Sequence, residues 1–137
     1  PPRSTLFPYT TLFRSVLGFN GFQNVISTAK RMQLLKMADW IANGRLPAIL
    51  ETNAQVVVCP RLDKNTRGLT CVTLLNASIG ETQPLALRLR QAKSDKVKMY
   101  SAEGTWQTRL KTAREGADLM VHVPSISPWG IIFLTLG

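Results

Sequence analysis

The chain has 137 residues, with 17 Lys and Arg against 8 Asp and Glu, for a net charge of +9. A composition 45% hydrophobic and 18% charged excludes a disordered tail, and no apolar run reaches the roughly 18 residues that a membrane-spanning helix needs. Two cysteines and one histidine, His122, exclude a disulfide scaffold, a complete zinc site made by cysteines alone and any chemistry that needs two histidines.

Residues 1–15, PPRSTLFPYTTLFRS, carry a near-repeat of Thr-Leu-Phe at 5–7 and 11–13. They have neither the long apolar core nor the small-residue cleavage site of a signal peptide. In order and without a gap, the segment resembles the translation of a standard short-read sequencing adapter. It is read as artefactual, adapter-derived and without structure of its own. Without it, and without Arg3 and Arg14 in it, 122 of the 137 residues remain and the charge falls from +9 to +7. The expectation is then a tail, whose natural chain began upstream of Val16.

Gly18-Phe19-Asn20-Gly21 has turn chemistry, and a helical pattern runs from Ser27 to Asn43. Ser27 or Thr28 can cap it by accepting from the free first-turn amides. Leu34, Ala38 and Ile41 recur at helical spacing, widened by Leu35 and Ala42, while Lys30, Gln33 and Lys36 fall on the other side. Gly44 supplies a left-handed stop and Pro47 prevents resumption. The expected role of this apolar stripe is core packing against partners upstream.

Beyond Pro47 the pattern becomes that of strands, at 54–60, 69–76, 84–91, 96–101, 105–111, 118–123 and 129–136. Turn clusters separate them, among them Asp63-Lys64-Asn65, Asn76 to Gly80, Glu103-Gly104 and Pro124 to Pro128. About seven short strands with no helix between them predict an antiparallel β-sandwich over residues 46–137. The fold class is therefore mainly β with one N-terminal α-helix. Leu85, Leu87 and Leu89 alternate with Ala86, Arg88 and Arg90, as in a sheet with one wet face.

A first hairpin turning about Asn65 would set Cys59 opposite Cys71 and Val58 opposite Val72. Directly opposed cysteines can come close enough to bond. The other reading is two reduced, half-buried thiols, because a small change of register removes the pairing.

Candidate chemistry is sparse. His122 alternates with Val121 and Val123, which puts its ring on the face opposite theirs. No phosphate loop, nucleophile elbow or zinc-spaced set occurs, so no catalytic, cofactor or metal residue is assigned. The acids, Glu51, Asp63, Glu81, Asp95, Glu103 and Asp118 among them, fall in predicted turns and strand ends. Asn76-Ala77-Ser78 matches a glycosylation sequon. Arg88, Arg90, Lys93, Lys96 and Lys98 crowd one predicted hairpin and could contact phosphates. Asp95 interrupts that run and no aromatics are interleaved, so a solvated face is expected and nucleic acid is disfavoured. Trp106, Tyr100 and Trp129 are the candidate carbohydrate contacts, with Trp129 also placed to plug the end of the sandwich.

Three stretches carry a family resemblance: ISTAKRMQLLKMADWIANGRLPAILET (26–52), VVVCPRLDKNTRGLTCVTLLNASIGETQPLALRLR (56–90) and VHVPSISPWGIIFLTL (121–136). Together they resemble the C-terminal tail of bacterial β-galactosidase-like glycoside hydrolases, in which an amidotransferase-like, trimerisation-type α/β domain precedes a terminal β-domain. The resemblance implies that 16–45 is the last helix of a truncated α/β domain and 46–137 the terminal sandwich. It also implies catalytic carboxylates in an upstream barrel and none on this chain. The expected function is thus a non-catalytic accessory module whose partners are the upstream domains, with a homo-oligomer possible in the parent protein. A carbohydrate-binding module is the alternative, and a nucleic-acid binder using the 88–98 hairpin the second alternative.

Overall fold

A computed structural model describes residues 28–102, 106–107 and 110–137. The adapter-like segment, the 18–21 turn and the Glu103-Gly104 turn lie outside the described residues. The chain divides into two compact units, Pro1–Gly44 and Arg45–Gly137.

In the first unit, helix α1 spans Thr28–Ile41. Asn43 and Gly44 both take left-handed φ, 53° and 69°, and Gly44 N–H donates to the Asp39 carbonyl at 2.8 Å. That closes the helix two residues before the Asn43 end expected from the pattern, because the stop occupies Asn43 as well as Gly44. Leu34 and Leu35 are half-buried, whereas Ala38 and Ile41 are exposed. Among the described residues, no helix is long and apolar enough to cross a membrane.

The second unit is an antiparallel sandwich of nine strands among the described residues: β1 (Ala48–Leu50), β2 (Val56–Leu62), β3 (Leu69–Asn76), β4 (Leu85–Leu89), β5 (Val97–Ser101), β6 (Trp106–Gln107), β7 (Lys111–Glu115), β8 (Asp118–Val123) and β9 (Ile131–Leu136). One sheet has the order β1-β4-β8-β7, the other β2-β3-β9-β5-β6. Two departures from the sequence reading explain the higher count. β1 follows directly on Pro47 as a three-residue edge strand, too short for a period-2 pattern to register. The predicted strand at 105–111 divides into β6 and the start of β7, which belong to different sheets.

Period-2 alternation decides which side chains meet. Leu85, Leu87 and Leu89 from β4, and Leu119, Val121 and Val123 from β8, are each at most 1% exposed. Facing them from the other sheet are Val72, Leu74, Val97, Met99, Ile132 and Leu134, all in the same core cluster. Complete burial of each such aliphatic side chain contributes about 1.5–3 kcal/mol relative to exposure. Pro60 sits in β2, an edge strand, where its missing N–H costs the sheet nothing.

The β2–β3 hairpin turns through Asp63 to Gly68. Asp63 Oδ1 accepts from the Asn65 and Thr66 amides at 2.9 and 2.6 Å, and Arg67 takes a left-handed φ of 56°. Those donors, the Thr66 amide foremost, hold the Asp63 carboxyl below its ordinary range. A lowered carboxyl stabilises the folded loop above its unfolded pKa and loses that contribution as pH falls through the folded value. The Asn65 and Thr66 amide shifts should therefore titrate together, with a midpoint below about 3.9. A midpoint at or above that value, or one unmoved in D63N, would contradict the bonding.

Asn76 closes one end of the sandwich. Its Nδ2 donates to the carbonyls of Gly80 (2.8 Å), Ile126 (3.0 Å) and Ser127 (3.0 Å). Its Oδ1 accepts from the Ser78 amide (3.0 Å) and hydroxyl (2.7 Å). Thr82 completes the clamp on the β8–β9 loop, accepting from the Ile126 amide at 2.9 Å and donating its own amide to the Ile126 carbonyl at 3.0 Å. The sequon at 76–78 is thus a structural node whose Asn76 side chain is fully buried in the folded chain and closed to a glycosyl donor, while Ala77 and Ser78 are half-buried.

Candidate functional site

The five-stranded sheet turns a predominantly apolar face outward. Register runs across it as Val57, Leu75 and Ile131 in one row and Cys59, Thr73, Phe133, Tyr100 and Trp106 in the next. Val57 is 45% exposed, and Ile131 and Phe133 are 37% exposed each; Leu75 and Tyr100 are half-buried. Antiparallel sheets with one solvated face ordinarily carry polar residues there, and a contiguous apolar patch marks an interaction surface.

Two of the three aromatic candidates come together. Tyr100 pairs with Phe133 on one side and with Trp106 on the other, so three aromatic residues hold paired register positions on neighbouring strands. Phe133 was missed by the sequence reading. It stands in the continuous run Ile131-Ile132-Phe133-Leu134, which conceals which positions face outward until strand register is known.

Trp129 is elsewhere. It occupies the third position of the turn Ser127-Pro128-Trp129-Gly130, closed by Gly130 N–H donating to the Ser127 carbonyl at 2.9 Å. Pro128 confines φ to negative values and Trp129 has φ 57°, so the turn follows the type II pattern. Trp129 is 62% exposed, so it does not plug the end of the sandwich as expected, because the turn carries it outward on a left-handed φ.

The cysteines do not oppose each other. Cys59 pairs with Thr73 and Cys71 with Arg61, and both thiols are free. A displaced turn and a bulge between Arg61 and Leu62 together move the hairpin off the symmetric register about Asn65. The two cysteines share a face as diagonal neighbours, about 7–8 Å apart in such ladders and beyond ordinary disulfide reach. Burial pushes the Cys71 thiol up, and the Arg61 guanidinium partly counters this.

Nor do the basic residues form a hairpin. β4 and β5 belong to different sheets, so Arg88 lies on the outer face of one and Lys98 on the outer face of the other. Arg88 bonds to Glu51 through Nε, and its Nη1 lies 2.9 Å from Glu115 and 3.7 Å from Asp118. The Glu51 bond foremost raises the Arg88 pKa, despite some desolvation. Arg114 bonds to Asp95 and donates to the Ala92 carbonyl at 2.8 Å. Several acids expected to serve only as turn residues are thus partners of arginines, and the 88–98 stretch is no continuous phosphate-binding surface. His122 is exposed on the outer face of the four-stranded sheet, between Ala86 and Lys111. Among the described residues, no group of three His, Cys, Asp or Glu could hold a metal ion.

No family model and no curated protein matches the chain. Among solved structures it is similar to alpha-L-fucosidase isoenzyme 2 from Paenibacillus thiaminolyticus, a glycoside hydrolase, at 17% identity and a TM-score of 0.48. The match covers 76% of this chain and 17% of the fucosidase chain. The chain thus spans about a sixth of that protein's length.

Proposed function

We infer that residues 45–137 are a non-catalytic β-sandwich accessory module of a glycoside hydrolase-like protein, seated through the outer face of the five-stranded sheet on an upstream domain of its parent chain. The exposed apolar patch of Val57, Ile131 and Phe133, spread over two adjacent register rows, is the observation that carries this reading. Side chains of that kind gain about 25 cal/mol for each Å² they withdraw from water, so the face favours a partner. The glycoside hydrolase class and the upstream partner rest on the sequence resemblance of 26–52, 56–90 and 121–136.

A second reading is favoured by one specific feature, the alignment of Phe133, Tyr100 and Trp106 across adjacent strands. Aromatic positions in such a row could receive the C–H faces of a polysaccharide. Two measurements separate the readings. A packing face should bind a hydrophobic dye and cause self-association, both lost in the V57E/F133E double variant. It should give no retardation in gels containing soluble β-glucan, galactan or xylan. Retardation removed by F133S would decide for carbohydrate; dye binding and association unchanged in V57E/F133E would reject the packing face.

A further inference from the structure

A cavity of about 290 Å³ opens beside the Pro128–Trp129 turn. Its floor is apolar, made by the buried Met99, Ile126 and Ile132, while Ser101, Ser125 and Ser127 also line it and Trp129 borders it. None of the lining residues is cationic, which disfavours a phosphate group. The Ser125 hydroxyl donates to Glu81 Oε1 at 2.5 Å, which fixes its proton and leaves its oxygen to accept.

The turn presenting Trp129 is held in a costly conformation. A left-handed φ at the third position of a type II turn suits Gly or Asn, and a bulky aromatic there is strained. The turn is tight at its last position too, since a Cβ on Gly130 would lie 2.7 Å from Ser127 Oγ and 2.9 Å from the Ser127 carbonyl. Asn76 and Thr82 hold the preceding loop from behind. The chain thus keeps a large, exposed indole where a smaller residue would fold more easily. Of the non-glycine residues with left-handed φ, Trp129 is the one beside this cavity, and a strained residue there points to a ligand.

We propose that this cavity is a subsite for a single pyranose ring. A pyranose has an apolar C–H face that the indole can cover and a rim of hydroxyls that the hydroxyls of Ser101, Ser125 and Ser127 can meet. The subsite lies at the sandwich end and is separate from the Phe133–Tyr100–Trp106 row. It takes only its ligand class from the carbohydrate reading above.

The test uses the full chain, with the methyl glycosides of D-glucose, D-galactose and D-mannose as probes in saturation-transfer difference NMR. At least one should give a saturable signal, and W129G should weaken its binding by about tenfold or more, the equivalent of losing one ring contact. Glycine accepts φ 57° freely, so W129G should melt at or above the wild-type temperature, which separates loss of binding from loss of fold. F133S should bind the probe as the wild type does. No saturable signal from any probe, or W129G binding unchanged, would overturn the subsite. Binding lost in F133S but kept in W129G would also overturn it, while supporting the sheet-face reading.

Discussion

Deleting residues 131–137 is expected to abolish folding of the sandwich instead of trimming it. β9 is the last strand in sequence but the middle strand of its sheet, pairing with β3 through Leu75 to Cys71 and with β5 through Val97 to Ser101. Without it the five-stranded sheet falls into two two-stranded ribbons, each marginal in water. The core also loses Ile132 and Leu134, which are 7% and 0% exposed. Two such aliphatic losses cost about 2–5 kcal/mol each even as single truncations to alanine, against a total stability of about 5–15 kcal/mol for a domain. Circular dichroism should show the strand signal and the cooperative melt disappearing together. A truncated chain that still melts cooperatively near the wild-type temperature would contradict the central position of β9.

The second large effect is expected at Asn76. N76A removes a side chain at a fully buried position whose two amide hydrogens are shared among three carbonyls and whose oxygen accepts twice, and leaves a void behind it. Each carbonyl it serves keeps another donor: Ser78 Oγ for Gly80, the Thr82 amide for Ile126 and the Gly130 amide for Ser127. The loss is therefore one of bonds and packing, with no carbonyl wholly orphaned. At about 1 kcal/mol net for each typical bond, plus the void, N76A should cost about 3–5 kcal/mol. For a domain of this size that lowers the melting temperature by roughly 15 °C or more. N76D should be at least as damaging at neutral pH, because it sets an acceptor against three carbonyl oxygens. A melting temperature within about 3 °C of wild type in N76A would show that the node is dispensable.

The two outer faces of the sandwich have different chemistry, which bears on where a partner would sit. On the four-stranded sheet, Arg88 gathers Glu51, Glu115 and Asp118, while Ala86, His122 and Lys111 form a row of small or polar side chains. On the five-stranded sheet, Val57, Ile131 and Phe133 remain in water without such cover. Arg88 and its carboxylates satisfy one another within the sheet, whereas burying the opposite face would add favourable free energy.

Local chemistry by itself determined the mainly β class, the α1 helix with its Gly44 stop, and the inward set Leu85, Leu87 and Leu89. Each of these depends on spacing or φ preference within a few residues, which a linear reading can see. Partner identity between strands was a different matter. A turn displaced by one residue and a one-residue bulge at Arg61–Leu62 together moved Cys59 from Cys71 to Thr73, and the sheet change between β4 and β5 divided the basic stretch. The apparent sequon became a buried clamp because Ile126 and Ser127 return to Asn76 from some fifty residues away. Phe133 joined Tyr100 and Trp106 only because β9 inserts next to β5. Long-range pairing is chosen by the burial of whole sheet faces, so only the tertiary structure could decide which residues meet at the candidate sites.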